Sequence, residues 1–141
     1  LTSVQNAFFQ YLLGNTDFSV AYQHNGKLLY VNKEIIPLPY DFDMTGWVNP
    51  SYATVNTTLG INSVKDRKYR GFKREKQYFD EVREQFIDKK DSIMYMVGSY
   101  ESEFSDPKEF QTMIEFMGSF YEILEDNSKF EKSIVAEART K

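Results

Sequence analysis

Four residues among the first fifty are of the types that do acid–base and metal chemistry together. Asp41 and Asp43 flank Phe42 in PYDFDMTG, residues 39–46, directly after the apolar run IIPLP. Upstream stand Asp17, in GNTDFSV, and Asn25, which follows His24, the chain's one histidine. A carboxylate beside a hydroxyl orients it and takes its proton. An Asn side-chain oxygen and one or two further carboxylates suit a hard cation such as Mg²⁺, which prefers oxygen ligands.

Each residue also has a plainer reading. Asp is favoured in loops, where its side chain caps a turn, and Asn25 could simply open a hairpin. A lone histidine is more often a hydrogen-bonded structural residue than a catalyst. DFDMTG partly matches the start of a calcium loop, Asp-x-Asp-x-x-Gly. Thr45 is a weak ligand at the fifth position, however, Tyr52 stands where the twelfth needs Glu, and no helix precedes it. An EF-hand is therefore excluded.

The elements that must position these residues follow from periodicity. Residues 2–13, TSVQNAFFQYLL, repeat Val4, Phe8, Tyr11 and Leu12 at helical spacing. Thr2 with Gln5 matches a capping box, and Gly14-Asn15 ends the helix. Residues 15–25 have no clean period and read as an ordered loop. KLLYV (27–31) and EIIPL (34–38), joined at Asn32-Lys33, form a β-hairpin, with Pro37 implying an edge or strand end. Residues 41–62 are polar, Gly-containing and aperiodic, as functional or disordered loops are.

Beyond residue 76 the pattern is helical. Phe79, Val82, Phe86, Ile93 and Val97 share a side, with a break near Lys89. Ser105-Asp106-Pro107 starts a helix whose stripe runs Phe110, Met113 or Ile114, Met117, Phe120 or Tyr121, Leu124. A short helix over 128–138 follows. The fold class expected is α+β, mainly helical with one small β-hairpin, and residues 1–141 form a single domain.

The order helix, loop with Asp and Asn, hairpin, Asp-containing turn is that of a protein-kinase large lobe. Asp17 and Asn25 are eight positions apart where the usual catalytic loop has five, the Arg of His-Arg-Asp is missing, and Asp43 replaces the Gly of Asp-Phe-Gly. An ordinary protein kinase is excluded. GNTDFSV, HN and PLPYDFDMTGWVNPSYA, followed by LGINSVKDRKYRGF, resemble instead a family of uncharacterised Bacteroidetes proteins. That family is similar to atypical kinases of the spore-coat CotH and HipA types, which use an Asn-x-Asp loop, a following Asn and a later Asp-x-Asp or Tyr-Asp segment. The resemblance spans about residues 3–75.

The resemblance implies the C-terminal lobe of an atypical kinase-like fold. In it Asp17 is the catalytic base, Asn25 and Asp41 bind the cofactor and metal, and Asp43 is a second metal ligand or a partner to one. It implies Mg²⁺ and ATP as cofactors and phosphoryl transfer to a hydroxyl. It also implies an exported protein of the periplasm or cell envelope, and a preceding region of the same chain that clamps the nucleotide. Little catalysis is expected of residues 1–141 without that region. The alternative is a non-catalytic binding or surface-associated module that keeps the kinase-like frame. A purely structural helical domain requires the Asp-Asn-Asp order to be coincidence.

Composition narrows the rest. A formal net charge of −4 argues against general nucleic-acid binding, which needs a basic face. The local exception is KDRKYRGFKREK, residues 65–76, with seven Lys or Arg against two acids. It reads as a solvated surface, as a contact for phosphate or an acidic partner, or as a source of ion pairs from Arg67 or Arg70 to Asp17 or Asp43. With no cysteine there is no disulfide, thiolate ligand or cysteine nucleophile. No apolar run reaches the length of a membrane span.

Overall fold

The computed structural model describes residues 1–140. Helix α1 (Thr2–Leu13) lies at its centre because it is apolar on most of its circumference. Val4, Ala7, Phe8, Tyr11, Leu12 and Leu13 are all buried. Around the fully buried Phe8 ring stand Tyr69, Phe79, Phe86 and Phe130, with centroids 5.8–6.4 Å away. Such tilted and edge-on packing suits the charge distribution of aromatic rings. Part of the abundance of Phe and Tyr in the sequence is thus one aromatic cluster around one helix, while Tyr22, Tyr30, Tyr40, Tyr52, Tyr95 and Tyr100 are exposed.

The helix begins differently from the capping-box expectation. Leu1 stands at the N-cap and no side chain caps the first turn. Thr2 Oγ1 donates to the Ile35 carbonyl (3.1 Å), and Gln5 Nε2 donates to Gln85 Oε1 (2.8 Å). Both side chains are drawn away by tertiary partners, which a local motif does not register. The C-terminal expectation holds. Gly14 takes φ 64°, and the Asn15 amide donates back to Gln10 O at 2.8 Å, a Schellman closure.

Strands β1 (Gly26–Val31) and β2 (Glu34–Pro39) pair antiparallel, with Val31 opposite Glu34. Asn32 and Lys33 both adopt positive φ, 50° and 67°, as the two central residues of a tight hairpin turn require. The hairpin rests on α1 through β2.

Helices α2 (Lys76–Asp88) and α3 (Lys90–Gly98) are separated at Lys89, and α4 (Pro107–Glu125) starts as expected. Asp106 caps α4 by accepting from the Lys108 amide at 2.9 Å, ahead of Pro107. Its stripe is core: Phe110, Met117, Phe120, Tyr121 and Leu124 are buried. The predicted last helix divides into a short α5 (Asn127–Phe130) and a wider π-type segment, Glu131–Val135, which bury Phe130 and Ile134. The chain is a mainly helical α+β fold with one small hairpin. No helix is long and apolar enough to cross a membrane among the described residues.

Candidate functional site

The loop carrying Asp17 hangs from the end of α1 on a buried polar relay. Gln10 and Asn15 are 1% and 2% exposed, and Asn15 Nδ2 donates to Gln10 Oε1 at 2.8 Å. Asn15 Oδ1 then accepts from the Asp17 amide, also at 2.8 Å. Buried amides this well satisfied fix one local conformation. Asn15 escaped the sequence reading, which saw only a helix end. Its position in Asn15-Thr16-Asp17 was the available signal.

Asp17 itself is exposed and is held by its expected neighbour Asn25 and by His24; no hydrogen bond joins it to Asp41. Asn25 Nδ2 donates to Asp17 O (2.8 Å) and to Asp17 Oδ2 (3.1 Å). His24 Nε2 lies 3.0 Å from Asp17 Oδ1. The Asn25 side-chain oxygen is not used by these bonds. Asn25 holds φ 50°, a left-handed conformation that Asn tolerates better than most residues. Its carbonyl accepts from the Tyr40 amide (3.1 Å), which closes the base of the hairpin and sets Asp41 one residue beyond.

Asp41 also adopts a left-handed backbone, φ 61°. Its carboxyl is in hydrogen-bonding reach of Asp43, and this shared contact raises its pKa above the ordinary carboxylate range. The like charge of Asp43 adds to the rise, and that of Asp17 contributes further. Tyr52 donates its hydroxyl to Asp43 Oδ2 at 3.3 Å, and the Tyr52 pKa is raised too, through desolvation and then the Asp43 charge. Among the described residues no Lys or Arg forms an ion pair with Asp17, Asp41 or Asp43.

The rest of the acidic turn is anchored to α1. Gly46 N donates to Gly14 O (3.2 Å) and Trp47 N to Leu13 O (3.0 Å). Gly46 is obligatory: a Cβ there would sit 2.4 Å from Val64 O and 3.1 Å from Lys65 Cα, both backbone atoms. Thr45 is fully buried, and its Oγ1 accepts from the Val48 amide at 3.3 Å.

The basic stretch is a solvated face only in part. Lys65, Lys73, Arg74 and Lys76 are exposed, but Tyr69 and Gly71 are buried and Arg67 is largely so. Arg67 pairs with neither Asp17 nor Asp43. Its guanidinium donates to Tyr11 O (2.9 Å), Leu12 O (3.1 Å), Phe116 O (2.5 Å) and Ser119 Oγ (2.7 Å), and lies 3.8 Å above the Phe116 ring. A buried cation at the carbonyl end of a helix is favoured by the helix dipole. Desolvation pulls its pKa down to about 10, so it remains charged at neutral pH. Arg70 donates to Thr16 O and faces the Asp17 charge without a direct ion pair.

Chemically, the base of the hairpin carries Asp41 and Asp43 on one side and the oriented Asp17 carboxylate, held by Asn25, on the other, with the Asp17 charge felt at Asp41 but no hydrogen bond between the two. Among the described residues no group of three or more His, Cys, Asp or Glu is placed to hold a metal ion. Mg²⁺ needs fewer: one or two carboxylates suffice when phosphate oxygens and water complete its shell. Comparison of the chain with family models, with curated protein sequences and with solved structures returned no match.

Proposed function

We propose that the chain is the catalytic lobe of an atypical kinase-like protein that transfers a phosphoryl group from Mg²⁺-ATP to a hydroxyl acceptor. One observation carries the reading. Asp17 is oriented by Asn25 and His24 at the base of the hairpin, and Asp41, in reach of Asp43, lies near enough to feel the Asp17 charge. An acidic pair without a basic partner is poorly stable alone and suited to a cation. When bound, the ion would neutralise charge on the phosphate oxygens.

In this reading Asp41 and Asp43 hold the ion, with the Asn25 oxygen beside them. Asp17 receives the acceptor's hydroxyl proton, and His24 and Asn25 keep its carboxylate in place. Arg67 has no part in the chemistry, since its guanidinium is engaged by three main-chain carbonyls and the Ser119 hydroxyl. The nucleotide clamp and any export signal would come from a preceding region of the same chain.

A second reading, a non-catalytic binding module, is favoured by one detail. Both Asp17 carboxylate oxygens already accept contacts within the chain, Oδ1 from His24 and Oδ2 from Asn25. Titration calorimetry of the full-length protein with Mg²⁺ and ATP separates the two. The kinase reading expects Mg²⁺-dependent nucleotide binding that Asp41→Ala abolishes. Nucleotide binding indifferent to Mg²⁺, or none at all, sinks it in favour of the module.

A further inference from the structure

The β-hairpin is apolar on both faces and exposed on most of its length. Leu28, Leu29, Tyr30, Val31, Ile35 and Leu38 are each at least 38% accessible. A lone two-stranded sheet of this kind is marginally stable in water. Its two outer edges differ. The two-residue turn makes Val31 and Glu34 a hydrogen-bonded pair, so Leu29 with Ile36 and Lys27 with Leu38 follow suit. The alternate residues therefore direct their backbone groups outward: Gly26, Leu28 and Tyr30 on β1, and Ile35, Pro37 and Pro39 on β2. Two bonds agree with this parity, from Tyr40 N to Asn25 O and from Thr2 Oγ1 to Ile35 O.

On β2 that outer edge is closed. Pro37 and Pro39 have no N–H to offer, and the Ile35 carbonyl is taken by Thr2. On β1 it is open, since no hydrogen bond from the described residues reaches the outward groups of Leu28 or Tyr30. Native folds usually blunt such an edge with proline, charge or a covering element. Here one edge has proline and cover, and the other has neither.

We propose that the β1 edge is the interface of a homodimer, in which β1 of a second copy pairs antiparallel to it and makes a four-stranded sheet. An added strand must bring apolar side chains to both faces, and KLLYV itself does so. Register selects among the symmetric arrangements. Centring the two-fold on Lys27 sets lysine against lysine, which is unfavourable. Centring it on Leu28 drives Val31 of the partner toward Asn25, where the Ser19–His24 bridge begins. Centring it on Leu29 sets Leu29 against its own copy, Lys27 against Val31, and Leu28 and Tyr30 in hydrogen-bonded pairs. The edge is self-complementary in that register.

The test is the association state of the protein by sedimentation equilibrium across a wide concentration range. The expected result is a reversible dimer. Leu28→Pro removes an N–H that the hairpin does not use, so far-UV circular dichroism should be retained. The dimer Kd should rise roughly thirtyfold, because symmetry loses two interstrand bonds. Leu29→Lys and Leu29→Glu should each be monomeric alone, and an equimolar mixture should recover the dimer, since opposite charges then meet on the former axis. A wild-type monomer at every concentration overturns the proposal. So does a dimer that survives all three substitutions, or an edge protected from amide exchange only by another protein's strand.

Discussion

Asp41, itself left-handed at φ 61°, holds its carboxyl within hydrogen-bonding reach of Asp43, with no basic side chain of the described residues paired to either. Their contact raises the Asp41 pKa, mainly through the shared hydrogen bond and then through repulsion. The folded state therefore binds a proton in a pH window just above the ordinary carboxylate range, where the unfolded chain has released it. Stability from this group accordingly rises as pH falls through that window and is lost as pH climbs back. NMR titration of the Asp41 carboxyl should show the raised midpoint. Asp43→Asn should lower it, and added Mg²⁺ should lower it in the wild type.

Arg67 replaces water for three main-chain carbonyls and a hydroxyl. Arg67→Met keeps the volume and removes all four bonds; Tyr11 O keeps the Gly14 amide and Phe116 O the Ser119 hydroxyl, but Leu12 O loses its donor. Urea denaturation should show a loss of about 3 kcal/mol or more. Arg67→Lys should rescue only part of this, because one ammonium cannot span acceptors on both α1 and α4.

Gly46→Ala tests how tightly the acidic turn is seated. The added methyl meets the Val64 carbonyl and the Lys65 Cα, and neither can swing aside as a side chain could. A loss of roughly 2 kcal/mol in chemical denaturation is expected. Tyr52→Phe, which removes only the hydroxyl on Asp43, should leave stability nearly unchanged.

Asn25 combines a backbone role with a side-chain role, and two substitutions divide them. Asn25→Gly accepts the positive φ but cannot hold Asp17. Asn25→Ala loses the side chain and also strains the backbone, by about 1 kcal/mol. Thermal melts should rank alanine below glycine. Calorimetry should find Mg²⁺-ATP binding weakened in both.

How much of this was legible depended on whether the cause was local. The hairpin turn, the Gly14 closure, the break at Lys89 and the Asp106-Pro107 start are written in neighbouring residues, and the structure has them. So are the core stripes of α2 and α4. Thr2 and Gln5 looked like a cap, but their partners, Ile35 and Gln85, are distant in sequence. Arg67 looked like one cation in a charged run. Only its 49-residue and longer separations from Phe116, Leu12 and Tyr11 reveal its task. Within the candidate site, the Asp17–Asn25 contact was expected, whereas the Gln10–Asn15 relay beneath it was not. A buried amide pair has no periodicity to announce it.

The last turn of α1 has no loose end. Its terminal carbonyls, from Tyr11 to Gly14, are occupied by Arg67, Trp47 and Gly46, while Asn15 folds back onto Gln10. Helix ends normally fray independently of the loops beside them. Here the Asp17 loop and the Asp41–Trp47 turn are held on neighbouring carbonyls of one helical turn, Gln10 O for the first and Leu13 O and Gly14 O for the second, so melting that turn releases both. They should open as one cooperative unit, with the Asn15, Gly46 and Trp47 amides exchanging at a common rate. That ties the spacing of the two acidic segments to the integrity of a single helical turn.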